Sequence, residues 1–154
     1  MVSLVDFMAT CAEIVGEKLP DNAAEDSVSL LPALLGKAGK PLREALVHHS
    51  IDGKFSIRQG RWKLELCPGS GGWSQPRDPQ AIKQGLPKMQ LYDMTADIGE
   101  QKNLQAAHPE VVRRLTALLE RYVADGRSTP GKPQKNDVPV DLWKQPPAAA
   151  ARAK

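Results

Sequence analysis

The sequence predicts an α+β fold, a small four-stranded antiparallel sheet packed on one face by a long C-terminal helix. Three observations predict it. Trp62-Lys-Leu-Glu-Leu66 alternates apolar and charged residues with the period of two that a half-buried strand requires. Asp52-Gly53 stands between two strand-like runs, which is a short-range hairpin signal. From Pro109 to Ala124, the residues Val111, Leu115, Leu118, Leu119 and Tyr122 recur at helical spacing, so one apolar stripe is available to cover a sheet.

In chain order, Ser3 to Val15 reads as a helix. Leu4, Met8, Cys11 and Val15 share one face, widened by Phe7 and Ile14; Ser3 and Asp6 approximate a capping box, and Gly16 suits the C′ position. Cys11 on that face is expected to be a buried free thiol. Lys18 to Asp26 is a polar connection, and Ser29 to Gly36 is a short apolar turn or helix closed by glycine. Strands are expected over Ala45 to Ser50, Phe55 to Arg58, Trp62 to Leu66 and Met89 to Met94. The turn at Gln59-Gly-Arg61 joins the second to the third, and Cys67 to Lys88 is read as one long loop. Pro109 in the first turn and Glu110 near the positive end start the last helix, and Gly126 ends it.

The chain has 154 residues, 41% of them hydrophobic and 25% charged, which suits one domain with a modest core. Its thirteen prolines and twelve glycines point to many loops, and five of the prolines fall after Gly126. The net charge is +3; the segment from Arg127 carries +4 of it, from six cations and two acids, which leaves −1 on the body. A near-neutral body has no footprint for a phosphate backbone, so nucleic acid is not an expected partner. No apolar run approaches the roughly 18 residues of a membrane span, and Met1 does not open a signal-peptide pattern. Compartment is left unassigned.

Two segments carry a resemblance. Phe55-Ser-Ile-Arg-Gln-Gly-Arg-Trp-Lys-Leu-Glu-Leu66 is followed by Leu91-Tyr-Asp-Met-Thr-Ala-Asp-Ile-Gly-Glu-Gln-Lys-Asn-Leu104. Together they resemble the C-terminal subdomain of the formylglycine-dependent sulfatases, of the arylsulfatase or N-acetylgalactosamine-6-sulfatase type. Val2-Ser-Leu-Val-Asp6 looks like the helix that closes the large domain of that family, and Ser29 to Gly36 like its "GxSLLPLLxG" segment. Arg127-Ser-Thr-Pro-Gly131 looks like the ending of many bacterial members. The departures are small: Asp26-Ser27 where Asp-Gly is common, Ala9 where proline is common, and Ile98 after the second Asp in place of proline.

The resemblance implies a division at residues 1–17 (terminal helix of a large alkaline-phosphatase-like α/β domain), 18–126 (C-terminal subdomain) and 127–154 (extended or disordered tail). It implies that a large domain outside this chain supplies the formylglycine and the Ca²⁺, and that this piece shapes the pocket for aryl sulfates or sulfated sugars. The parent family is often periplasmic or secreted. No cofactor, metal or catalytic residue is expected on this chain. Cys11 is followed by Ala-Glu-Ile-Val and Cys67 by Pro-Gly-Ser-Gly, neither a C/S-x-P-x-R context, and no acidic pairs suggest hard-cation ligands.

The expected substrate-binding residues are His48, His49 and Arg58. Adjacent strand residues point to opposite faces, so at most one histidine faces a pocket, and most such residues are structural. Arg58, Arg61 and Lys63 suit an oxyanion but also suit solvated strand faces. Trp73, after Gly69-Ser-Gly-Gly72, is either a loop anchor or a stacking surface for a sugar. Two other readings stay open: a non-catalytic interaction module, and the end of a phosphate-ester hydrolase of the alkaline phosphatase superfamily. A piece of a larger protein would leave the Leu4/Phe7/Met8 stripe uncovered; a freestanding module would cover it.

Overall fold

A computed structural model describes residues 1–144. A 3₁₀ turn at Leu4–Asp6 leads into α1 (Phe7–Val15), followed by α2 (Leu31–Leu34), β1 (Leu46–His49), β2 (Phe55–Gln59), β3 (Trp62–Glu65), α3 (Asp78–Lys83), β4 (Gln90–Asp93) and α4 (Pro109–Asp125). The strands form one antiparallel meander in the order β1-β2-β3-β4. Each strand boundary falls within a residue of the alternation-based expectation.

Register explains the core. Val47, Ile57, Leu64 and Leu91 lie directly opposite one another across all four strands and make one apolar row. Phe55 and Leu66 extend that face, and Val111, Leu115, Leu118, Leu119 and Tyr122 of α4 close over it. Ile57, Leu64, Leu91 and Leu115 lose all contact with solvent. Gly53 and Gly60, which turn β1 into β2 and β2 into β3, both sit at positive φ, where a side chain would be strained.

The α1 helix packs in the opposite sense to its composition. Asp6 and Thr10 are its buried residues, whereas Leu4 is 81% exposed, Phe7 58% and Met8 53%. Asp6 Oδ2 accepts the Ser3 amide at 2.8 Å, and Asp6 Oδ1 accepts the Val28 amide at 3.1 Å and pairs with the Arg43 guanidinium. Thr10 Oγ1 donates to the Asp6 carbonyl at 2.6 Å and accepts the Leu30 amide at 2.9 Å. The helix is therefore fastened to the 27–30 segment and to Arg43 by its polar side, and the apolar stripe faces outward. This corrects the expectation for Cys11, which is exposed because its face is not the one that packs.

The span 67–88 contains α3, which its composition did not suggest. Asp78 in the first turn, Pro79 and a fully buried Ala81 hold this six-residue helix, too short to show a period. Residues 127–144 contain no helix or strand but follow the body closely. Buried Arg127 donates to the carbonyls of Asp21, Thr129, Pro130 and Lys132 at 2.9–3.1 Å. Leu142 joins the core and Trp143 packs against it, and Lys54 Nζ donates to the Lys144 carbonyl at 2.7 Å. The remainder of the expected tail lies outside the described residues.

Removing the Asp6 carboxylate strands the buried Arg43 charge and two amides. Asp6→Ala is expected to destabilise the chain by about 3–5 kcal/mol in urea unfolding. A loss below about 1 kcal/mol would show that the clamp is not a major tie.

Candidate functional site

Because the pleat sends alternate side chains to opposite faces, the residues between those of the apolar row share the face turned away from α4. They form two cross-strand rows. His48, Ser56, Glu65 and Gln90 make one; Leu46, Arg58, Lys63 and Tyr92 make the other. Of the expected site residues, this face collects His48 and Arg58. It also collects Lys63. His49 lies on the α4 side, its ring packed edge-on against Phe55 with centroids 4.2 Å apart. Arg61, in the turn after β2, is committed to Asp93, with Nε 2.8 Å from Oδ1.

The polar face is half-buried and mostly satisfied. Lys63 Nζ lies 2.7 Å from Glu65 Oε1 and 2.5 Å from Glu100 Oε1. Burial opposes its charge, but the hydrogen bonds to both carboxylates outweigh that and raise its pKa. Burial raises the Glu65 carboxyl above its ordinary value, against the opposing pull of Lys63. Tyr92 donates to Gln90 Oε1 at 2.6 Å, and burial pushes its phenol up to about 12. Gln90 Nε2 donates to the carbonyls of Cys67 and Gly69 at 3.0 and 2.8 Å, fastening the 67–78 loop to the sheet. Neither Glu65 nor Glu100 was singled out from the sequence. Register brings Glu65 beside Ser56 and Gln90, and only the fold brings Glu100 back across 37 residues to Lys63.

Two groups on this face retain unused capacity. Arg58 makes one weak contact, Nε to the Gly60 carbonyl at 3.4 Å, which leaves its terminal nitrogens open among the described residues. His48 Nδ1 is buried without a partner. Burial, and after it the charge of Lys63, holds the His48 ring below the ordinary imidazole value, so at neutral pH it is an uncharged donor or acceptor. An open guanidinium and a neutral imidazole on neighbouring rows can together meet an oxyanion and a hydroxyl.

The motif from Leu91 to Leu104 is structural. Asp97 Oδ2 accepts the amides of Gln101 and Lys102, both at 2.8 Å, which lowers its pKa. Asn103 Oδ1 accepts those of Leu91 and Gln105, both at 3.0 Å.

These residues do not fit a hard cation or a formylglycine precursor. Asp6 is spent on Arg43 and backbone amides, Asp93 on Arg61 and Thr95, and Asp78 on Lys54 and two glycine amides. No group of three candidate ligands converges among the described residues. Cys67 is buried, its thiol donates to the Gly69 carbonyl at 3.2 Å, and burial pushes its pKa up to about 12, the opposite of an activated sulfur.

No protein-family model matches the chain. It is 36% identical over 128 residues to an N-acetylgalactosamine-6-O-sulfatase of Bacteroides thetaiotaomicron, covering 78% of this chain and 23% of that protein. It is 24% identical over 165 residues to an N-acetylgalactosamine-6-sulfatase of Canis lupus familiaris, covering 94% of this chain and 30% of that one. A solved structure described under the metabolism of multiple glycosaminoglycans by Bacteroides thetaiotaomicron superposes with a TM-score of 0.59 at 35% identity, over 75% of this chain and 24% of that one. The chain thus spans roughly a quarter of the length of the proteins it matches.

The lowered His48 pKa has a signed consequence. Protonation opposes folding, so its contribution is intact above the unfolded value of 6.5 and is lost as pH falls through that value towards the folded one. His49, lowered by burial and then by Lys144, acts in the same direction. Between about pH 7.5 and about pH 5, His48→Asn is expected to shrink the fall in urea midpoint. An unchanged fall would show that His48 is not desolvated.

Proposed function

We propose that this chain, which belongs to the sulfatases and corresponds to their C-terminal region, forms one wall of the substrate pocket of a sulfuric ester hydrolase acting on sulfated sugars. A large α/β domain outside this chain brings the nucleophile and the metal. The observation that carries the reading is the sheet face turned from α4, where His48 and Arg58 sit together with capacity left over. Lys63 and Arg61 are each neutralised by carboxylates, so among the described residues Arg58 is the cation on this wall free to meet a sulfate. Its planar fork matches two oxygens of a tetrahedral anion. His48, kept uncharged by burial, hydrogen-bonds a sugar hydroxyl without adding charge.

The outward stripe of α1 supports the same reading. Leu4, Val5, Phe7 and Met8 form a contiguous exposed apolar patch on a helix whose polar side is already packed. Such patches mark surfaces that another layer covers. The face of the large domain is the proposed cover, and it would bring the pocket groups against the polar sheet face.

The roles separate into two measurable outcomes. The 154-residue chain, shown folded by near-ultraviolet circular dichroism, is expected to leave a chromogenic aryl sulfate and a 6-sulfated N-acetylgalactosamine unhydrolysed at every Ca²⁺ concentration. In the enzyme that contains this chain, Arg58→Ala is expected to lower kcat/KM by about tenfold or more, the loss of a charge-assisted hydrogen bond. Turnover by the clean chain, or an Arg58→Ala enzyme with unaltered kcat/KM, would contradict the proposal.

A further inference from the structure

Trp73 stands apart from the other tryptophans. Trp62 and Trp143 pack against the core, whereas Trp73 is 79% exposed at the tip of the 67–78 loop. The loop beneath it is strongly held. Asp78 Oδ1 accepts the amides of Gly69 and Gly71 at 3.2 and 3.3 Å, the Ser70 amide donates to the Pro76 carbonyl at 2.9 Å, and Ser70 Oγ donates to the Ser74 carbonyl at 2.7 Å. A Cβ at Gly69 would press on Pro76 and Asp78 at 2.6–2.8 Å, so the two limbs of the loop touch backbone to backbone. Both residues flanking Trp73 are therefore fixed, and the indole is displayed by construction.

Its position is also fixed relative to the sheet. The Gly71 carbonyl accepts the Asp52 amide at 3.2 Å, and a Cβ at Gly72 would meet Ile51 Cγ2 at 2.6 Å. The loop thus rests on the turn that follows β1, directly after His48 and His49. Arg43, which clamps α1, lies before the other end of that strand. The outward tryptophan and the outward α1 stripe are consequently served by opposite ends of β1 and are separate surfaces.

We propose that Trp73 is a stacking platform for a pyranose ring of the saccharide. It engages a unit further along the glycan than the one whose sulfate meets Arg58, because Arg58 stands opposite Leu46 at one end of β1 and the Trp73 loop rests on Ile51 and Asp52 past the other, so that it sets a preference for oligosaccharides. This rests on the pocket-wall reading and extends it. A pyranose has one face of C–H groups that suits the face of an indole, while its hydroxyls stay in water. A rigidly presented aromatic loses little conformational freedom on binding, which favours a weak, sequence-adapted contact with a flexible glycan. The exposed Ile51 at the foot of the loop continues the apolar surface.

The test is a binding titration by NMR on the full 154-residue chain, with an N-acetylgalactosamine-containing tetrasaccharide in 6-sulfated and desulfated forms and with the 6-sulfated monosaccharide. Both tetrasaccharides are expected to shift the Trp73 Nε1–H signal in a saturable way. Trp73→Ala should weaken tetrasaccharide binding about tenfold or more without changing the thermal midpoint, and Trp73→Phe should restore part of it. The monosaccharide should bind both forms equally. Unaltered tetrasaccharide binding by Trp73→Ala, or no shift of the Trp73 signal, overturns the platform. If sulfated ligands still perturb His48 and Arg58 in that case, the pocket-wall reading stands alone. A Trp73 response without any at His48 or Arg58 keeps the platform and removes the wall.

Discussion

The pleat of the four-stranded meander decides which side chains can meet, because each strand position takes one face of the sheet or the other. Once Ile57, Leu64 and Leu91 are committed to α4, the neighbouring positions have only one place to go. Ser56, Arg58, Lys63, Glu65, Gln90 and Tyr92 must share the other face, together with His48 from β1. A slip of one residue in any strand would exchange the two sets and bury charge under the helix. The polar face is thus a consequence of the apolar one, and its chemistry is as rigidly placed as the core.

Outside the sheet, the chain is fastened by buried and half-buried charges that use backbone carbonyls and amides as partners. Asp6 gathers α1, the 27–30 segment and Arg43. Arg127 gathers the end of α4, the Asp21 carbonyl and the residues just past the helix. Asp78 gathers the glycine loop beneath Trp73. Each of these residues converts a stretch lacking regular hydrogen bonds into a satisfied one, which is what a proline- and glycine-rich chain needs when its segments are too short for ladders. The apolar side of α1 is left free as a result, because the attachment is polar.

Much of this was legible in the sequence, for physical reasons that differ by element. The strands showed themselves through alternation and the Asp52-Gly53 turn, and α4 through a stripe sustained over four turns. The motif around Asp93, Asp97 and Asn103 named a family and performs the turn chemistry its residue types suggest. The division of His48 from His49 between faces followed from the pleat alone. Other features were hidden because they depend on packing. Nothing local tells that α1 and the turn before it bury Asp6 and Thr10 and not Leu4, Phe7 and Met8, and so Cys11 was expected on the wrong side. α3 has a single buried anchor, Ala81, too little for a period. Glu100 finds Lys63 only after β4 and its turn are in place. The resemblance and the comparisons agree on sulfatases.

On the proposal made above, one sheet face meets a sulfated sugar and the other packs on α4. The three histidines report on this directly: His48 on the polar face, His49 on the α4 side and His108 at the start of α4. In the enzyme containing this chain, histidine carbethoxylation can be followed residue by residue by mass spectrometry, with and without a saturating 6-sulfated sugar. The sugar is expected to slow modification of His48 and to leave that of His49 and His108 unchanged. Protection of His49, or none at His48, would contradict it.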